Sequence, residues 1–170
     1  MIQRKALAAS ITVFILATFA GLLSRPVSAS TSRTFSGPRI EGVKTTAYSA
    51  SIADNGNYGA KNALGTPLKT GAITSAAADW SRYPVGTRFR IVETGREYIV
   101  DDYGSALVGT GTIDLYKTSD AQVDRWGVRH VTIEILEWGS PERSLRILQE
   151  RGKMRHIRSM VASLVAQESA

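Results

Sequence analysis

The sequence predicts a mainly β protein: a small closed barrel of about six short strands and one short helix, followed by an amphipathic C-terminal helix. Three observations carry that prediction. From residue 43 to residue 139, apolar and polar side chains alternate in short runs broken by Gly, Asn and Pro, which is strand patterning with turns. All six runs fit within about 95 residues, so the sheet is small, and closing it removes the exposed edges that its short strands would otherwise present. Beyond residue 140 the apolar spacing changes to that of a helix.

Residues 43–48 form the first strand and 72–78 the second. Residues 87–92 alternate Phe89 and Ile91 with Arg88 and Arg90, a period of two. Glu93-Thr94-Gly95-Arg96 supplies a turn, and 97–100 pairs back as a hairpin. Residues 112–116 and 128–136 complete the set, the last with Val131, Ile133 and Ile135 on one face. Between them, 118–126 reads as a helix in which Ser119 caps and Val123 with Trp126 makes an inward pair. Ser140-Pro141-Glu142 is a helix start, with Ser at the N-cap and Pro at the first helical position. Leu145, Leu148, Met154, Ile157, Met160, Val161, Leu164 and Val165 keep helical spacing through the segment 140–170, and Gly152 interrupts it. This basic tail is expected to pack on the barrel or on a second copy. Contact with an anionic membrane or wall polymer is its alternative use.

Arg4 and Lys5 precede an apolar run over 6–23, and Val27-Ser28-Ala29 closes it with small residues. Residues 1–29 therefore read as a secretory signal peptide or an uncleaved N-terminal anchor, and 30–42, rich in Ser, Thr, Gly and Arg, as a linker. Either reading exports the remainder to the periplasm, the cell envelope or the medium.

The formal net charge is +6, but it is not spread evenly. Residues 1–29 carry +3, residues 140–170 carry +3, and 30–139 is neutral. A basic face across the fold is absent from this distribution and the tail lacks interleaved aromatics, so nucleic acid is not an expected partner. The chain has no Cys and two His, which removes thiolate chemistry and leaves little for a His-based triad or zinc site. What remains is carboxylate chemistry.

Several acids of the neutral middle stand at strand ends or in strands. Asp79 follows the apolar Ala76-Ala77-Ala78, Asp101 and Asp102 end the strand begun at Glu97, and Asp114 lies between Ile113 and Leu115. A lone acid in a strand most often faces solvent. Carboxyls brought together instead raise one another's pKa, which is what a general acid for a glycosidic oxygen needs near neutral pH. A calcium site from Asp101, Asp102 and Asp114 finds no EF-hand spacing to support it.

These residues also carry a resemblance. Thr46-Ala47-Tyr48, Gly65-Thr66-Pro67-Leu68, Ala78-Asp79 with Tyr83-Pro84-Val85-Gly86-Thr87, Asp102-x-Gly104-x-Ala106-Leu107-x-Gly109, Ile113-Asp114-Leu115-Tyr116, and Trp126-Gly127 with Val131-Thr132-Ile133 follow in order. The stretch 44–138 resembles the 3D domain, named for three aspartates, of bacterial wall-lytic proteins and of the C-terminal part of the membrane-bound lytic transglycosylase A family. The resemblance implies a six-stranded double-psi β-barrel. It also implies a lytic transglycosylase acting on peptidoglycan glycan strands at the β-1,4 bond between N-acetylmuramic acid and N-acetylglucosamine, without a cofactor or metal. Carried over by position, Asp114 is the acid/base, Asp102 its close partner and Asp79 a supporting member. Trp80, Tyr83 and Tyr103 are candidate sugar-stacking residues, with Thr66 beside them in the substrate site. Tyr48, Tyr116, Trp126 and Trp138 read as packing.

Such an enzyme works with one carboxyl because water is not the nucleophile. Asp114 protonates the leaving oxygen, then takes the proton of the sugar's own C6 hydroxyl as a 1,6-anhydro ring closes. Asp102 holds Asp114 protonated by a shared hydrogen bond and by charge repulsion. Three departures from the family pattern temper this reading, and the first two favour the alternative, a non-catalytic glycan-binding barrel. Ser105 stands where the family has a second Gly, the interval from Asp102 to Asp114 is one residue longer, and no large second domain supplies the other wall of a cleft.

Overall fold

The computed structural model describes residues 37–51 and 59–169. The expected leader 1–29 and the linker as far as residue 36 lie outside the described residues. Among those described, no helix is long and apolar enough to cross a membrane.

Six strands close into a barrel: β1 (Arg39–Tyr48), β2 (Ile73–Ala77), β3 (Arg88–Ile91), β4 (Glu97–Asp102), β5 (Ile113–Tyr116) and β6 (Arg129–Glu137). Around the barrel they run β1-β5-β2-β4-β3-β6. The pairs β1–β5 and β2–β4 are parallel and the others antiparallel, so the chain crosses over rather than meandering. Each strand falls where the alternating pattern puts one. The first is longer than expected: it begins at Arg39, inside the stretch that composition marks as linker. Its ladder against β6 shifts between Ile40 and Val43, where Gly42 takes φ 66, a left-handed conformation that glycine adopts without strain.

Period-two alternation decides what is inside. Phe89, Ile91, Ile113, Leu115, Val131, Ile133 and Ile135 are buried in one cluster, and burying each large side chain contributes about 1.5–3 kcal/mol. Arg88 and Arg90 point the other way and are neutralised on the wall, Arg90 by Glu97 at 2.8 Å and Glu134 at 3.1 Å. The motif Pro84-Val85-Gly86-Thr87 is a corner. Thr87 Oγ1 donates to the Pro84 carbonyl and accepts from the Gly139 N–H, and a Cβ at Gly139 would stand 2.3 Å from that carbonyl.

Helix α1 (Asp120–Trp126) occupies the predicted place, but the Ser119 side chain makes no capping bond; its backbone carbonyl accepts from Gln122 and Val123 instead. The tail is two helices, α2 (Pro141–Gln149) and α3 (Arg155–Glu168), separated at Gly152 rather than one kinked helix. Ser140 caps α2 by accepting the Arg143 N–H, as its sequence predicts, and Ser144 Oγ takes the Val85 N–H. Leu148, Ile157, Met160 and Leu164 join the barrel's own cluster. The buried part of the apolar stripe is thus consumed on the barrel, while Met154 and Val165 are exposed. Trp138, expected to pack, is 50% exposed.

Candidate active site

The site begins with a defect in a ladder. β2 lies between β4 and β5, and its pairing with β4 shifts at Ala77, so that Ala76 faces Val100 and Ala77 faces Asp102. Asp101 is the bulged residue. A regular strand sends consecutive side chains to opposite faces, but here Asp101 and Asp102 are both buried. On the other side of Ala77 stands Asp114. The two carboxyl-bearing positions therefore flank one alanine at the C-terminal end of β2.

Asp102 is 8% exposed and accepts hydrogen bonds at both oxygens. Oδ2 accepts from the Tyr48 hydroxyl at 3.0 Å, and Oδ1 from the N–H groups of Ala63 at 3.0 Å and Tyr103 at 2.9 Å. Burial pushes its pKa up to about 6, with the neighbouring Asp101 charge adding to the rise and the three donors opposing it. Tyr48, read from the sequence as packing, is a hydrogen-bond donor to Asp102. Burial and the charges of Asp102, Asp101 and Asp114 all raise its pKa, so it stays a phenol and a donor. Asp114 is half-buried on β5, and its Oδ1 accepts from Thr46 Oγ1 at 2.7 Å. Of the two, Asp114 is the one with surface to offer a substrate.

Asp79 is placed elsewhere and does other work. Its Oδ1 accepts from the N–H and hydroxyl of Ser81, its Oδ2 from the Gly109 N–H at 2.8 Å, and its carbonyl from Arg82 and Tyr83. It staples the loop before β5 to the turn after β2, and so positions Asp114 rather than joining it. Asp101 is held by Lys69 and by Ser75 Oγ at 3.0 Å.

The aromatic expectations are largely corrected. Trp80 and Tyr83 are 0% and 1% exposed and form core, so neither can stack on a sugar. The Trp80 Nε1–H donates to the Asp102 carbonyl at 2.8 Å and thereby fixes the backbone that carries the acid. Tyr103 is half-buried, edge-on to Trp80 at 4.9 Å and 6.1 Å from the His156 ring. Thr66 is exposed, but its hydroxyl and N–H both go to Asn62 Oδ1, which folds the loop carrying Ala63. Arg151, between α2 and α3, went unread in the sequence; its Nη1 donates to the Ala63 carbonyl at 2.6 Å.

Among the described residues, no group of three or more His, Asp or Glu is arranged to hold a metal. Residues 74–137 match the family model of the 3D domain.

The barrel carries a 3D domain.

No curated protein matches the chain. The 3D domain is a double-psi barrel of the kind found in lytic transglycosylases, and the closed six-stranded barrel fits it. Both departures inside the motif find room. No non-glycine residue among those described has positive φ, so Ser105 sits without strain, and the longer interval turns on Gly109 and Gly111, at φ 79 and 70.

Proposed function

We propose that this 3D domain is an exported lytic transglycosylase that cleaves the β-1,4 bond between N-acetylmuramic acid and N-acetylglucosamine in peptidoglycan. The observation that carries the reading is the pairing across Ala77 of a half-buried Asp114 with a buried Asp102. Asp114 is the catalytic acid/base. It gives its proton to the glycosidic oxygen as the C–O bond breaks and positive charge grows at the anomeric carbon, then accepts the proton of the C6 hydroxyl as that oxygen bonds to the same carbon. Proton, leaving group and ring balance without water. Asp102 is a positioning residue: it stands across Ala77 from Asp114, and its charge above about pH 6 disfavours a second negative charge nearby. Tyr48 donates to Asp102 and remains neutral throughout.

Ser105 and the longer loop, the two departures that gave the non-catalytic glycan-binding alternative its weight, are accommodated without strain, and the burial of Trp80 and Tyr83 bears on both readings alike. The test is digestion of purified sacculi with mass spectrometry of the products. Release of 1,6-anhydro muropeptides by wild type and not by Asp114→Asn supports the enzyme; retention on sacculi with no such product overturns it.

A further inference from the structure

Beside the N-terminal end of β2 the surface opens into a cavity of about 700 Å³. Its walls include Arg96, Lys117, Arg125 and Arg129, and no acidic residue. Three cations elsewhere on the barrel are matched: Lys69 meets Asp101, and Arg88 and Arg90 meet Glu97. In the cavity the matching is missing. Lys117 is 8% exposed, donates to Tyr98 Oη at 3.3 Å and lies 4.5 Å over the Trp126 ring, yet no carboxylate among the described residues pairs with it.

A buried ammonium with neighbours of its own sign is an expensive arrangement. Burial first, then the charges of Arg96 and Arg129, draw the Lys117 pKa down to about 8. The arginine beside it is already set in place. Arg129 donates from Nε to the Trp126 carbonyl at 2.9 Å and from Nη2 to the Arg125 carbonyl at 3.0 Å, and its guanidinium lies 4.4 Å over the same indole. Those contacts spend part of its rotamer entropy before anything binds, which favours capture.

We propose that this cavity binds a small anion carrying two or more negative charges, a polycarboxylate or a phosphate, between Lys117, Arg96 and the Arg125–Arg129 pair. Such an anion supplies the countercharge that the fold omits, and a monovalent one would leave most of the excess in place. Guanidinium forks fit carboxylate and phosphate oxygens alike, so the two sources share one chemistry. The site uses neither Asp102 nor Asp114, and it stands whether or not the barrel cleaves glycan.

Calorimetric titration of the full chain at low salt with tricarballylate, with inorganic pyrophosphate, and with acetate as monovalent control tests the proposal. The expected result is saturable binding of a multivalent anion and none of acetate. Affinity falls at least about tenfold in Lys117→Met and in Arg96→Gln, and is unchanged in Asp114→Asn. The tighter of the two multivalent probes identifies the source. Arg96 and Arg125 are exposed, so Arg96→Gln and Arg125→Gln keep the test open if Lys117→Met does not fold. Failure of both probes to saturate, or wild-type affinity in the arginine variants, overturns it.

Discussion

At its C-terminal end β2 runs between two acids, Asp102 and Asp114, while about 10 Å back along the same strand it borders a cavity walled by four cations. The two ends use burial in opposite senses. At the acidic end, burial pushes Asp102 up towards protonation, and neutral donors (the Tyr48 hydroxyl and two backbone N–H groups) hold the carboxylate without discharging it. At the basic end, burial draws Lys117 down, and no carboxylate among the described residues pairs with it to restore it. Charge neutrality over residues 30–139 thus conceals a separation of charge within the barrel. One end is built to hold a proton near neutrality, and the other to want an anion.

The sharpest way to break the comparison is Asp114→Asn. It is expected to lower 1,6-anhydro product by about 10²–10⁴-fold, the range of a lost general acid/base, while multivalent anion binding at the cationic end is untouched. Product assayed by mass spectrometry beside calorimetry on the same preparation checks both halves. Loss of both would mean that the two ends are one site.

Asp102→Asn comes next. The folded pKa of about 6 lies above the ordinary 3.8, so between those values the folded protein holds a proton that the unfolded chain has released. The contribution of this group is therefore fully present below about pH 4 and lost as pH rises through 6, by about 1–3 kcal/mol. Urea unfolding of wild type and variant at pH 4 and pH 7 reads this directly. The wild type should lose that much more stability between the two pH values, and parallel behaviour contradicts it.

Arg151→Ala acts on the acidic end from a distance. Releasing the Ala63 carbonyl loosens the loop whose N–H opposes the rise in the Asp102 pKa, so the acid limb of the activity–pH profile should move upward, with kcat down about tenfold. A fall in stability of about 1 kcal/mol with an unmoved profile would make Arg151 merely structural.

The smallest effect is expected from Lys117→Met. The folded pKa of about 8 lies below the ordinary 10.5, so the wild type bears the penalty of a buried charge below pH 8 and sheds it as pH rises towards 10.5. The variant should be more stable by about 1 kcal/mol at pH 7, with the advantage shrinking by pH 9.5. Melting curves at the two pH values decide it.

Much of this was readable in the chain. Strand alternation placed Phe89 with Ile91 and Val131 with Ile133 and Ile135 in the core, because period two is a local property that burial on one face selects. Ser140-Pro141 announced α2 by capping chemistry confined to four residues. Other features lay beyond a linear pattern. Trp80 and Tyr83 have the composition of a sugar platform and the position of core. Tyr48 has the composition of core, yet its hydroxyl meets an acid 54 residues away. Neither distinction exists before the barrel closes.

The sequence by itself determined the number and order of the strands, the three aspartates and the type of chemistry open to a chain without Cys, because these depend on residue type and near-neighbour spacing. Only the tertiary structure decided which acids meet. The bulge at Asp101 brings Asp102 opposite Ala77, the parallel β1–β5 pairing brings Thr46 to Asp114, and Asp79 is drawn off to the Gly109 loop. The cationic cavity is of the same kind, since Arg96, Lys117 and Arg129 come from separate segments. Register brings them together and desolvation draws the Lys117 pKa down, and both are properties of the closed barrel rather than of any stretch of chain.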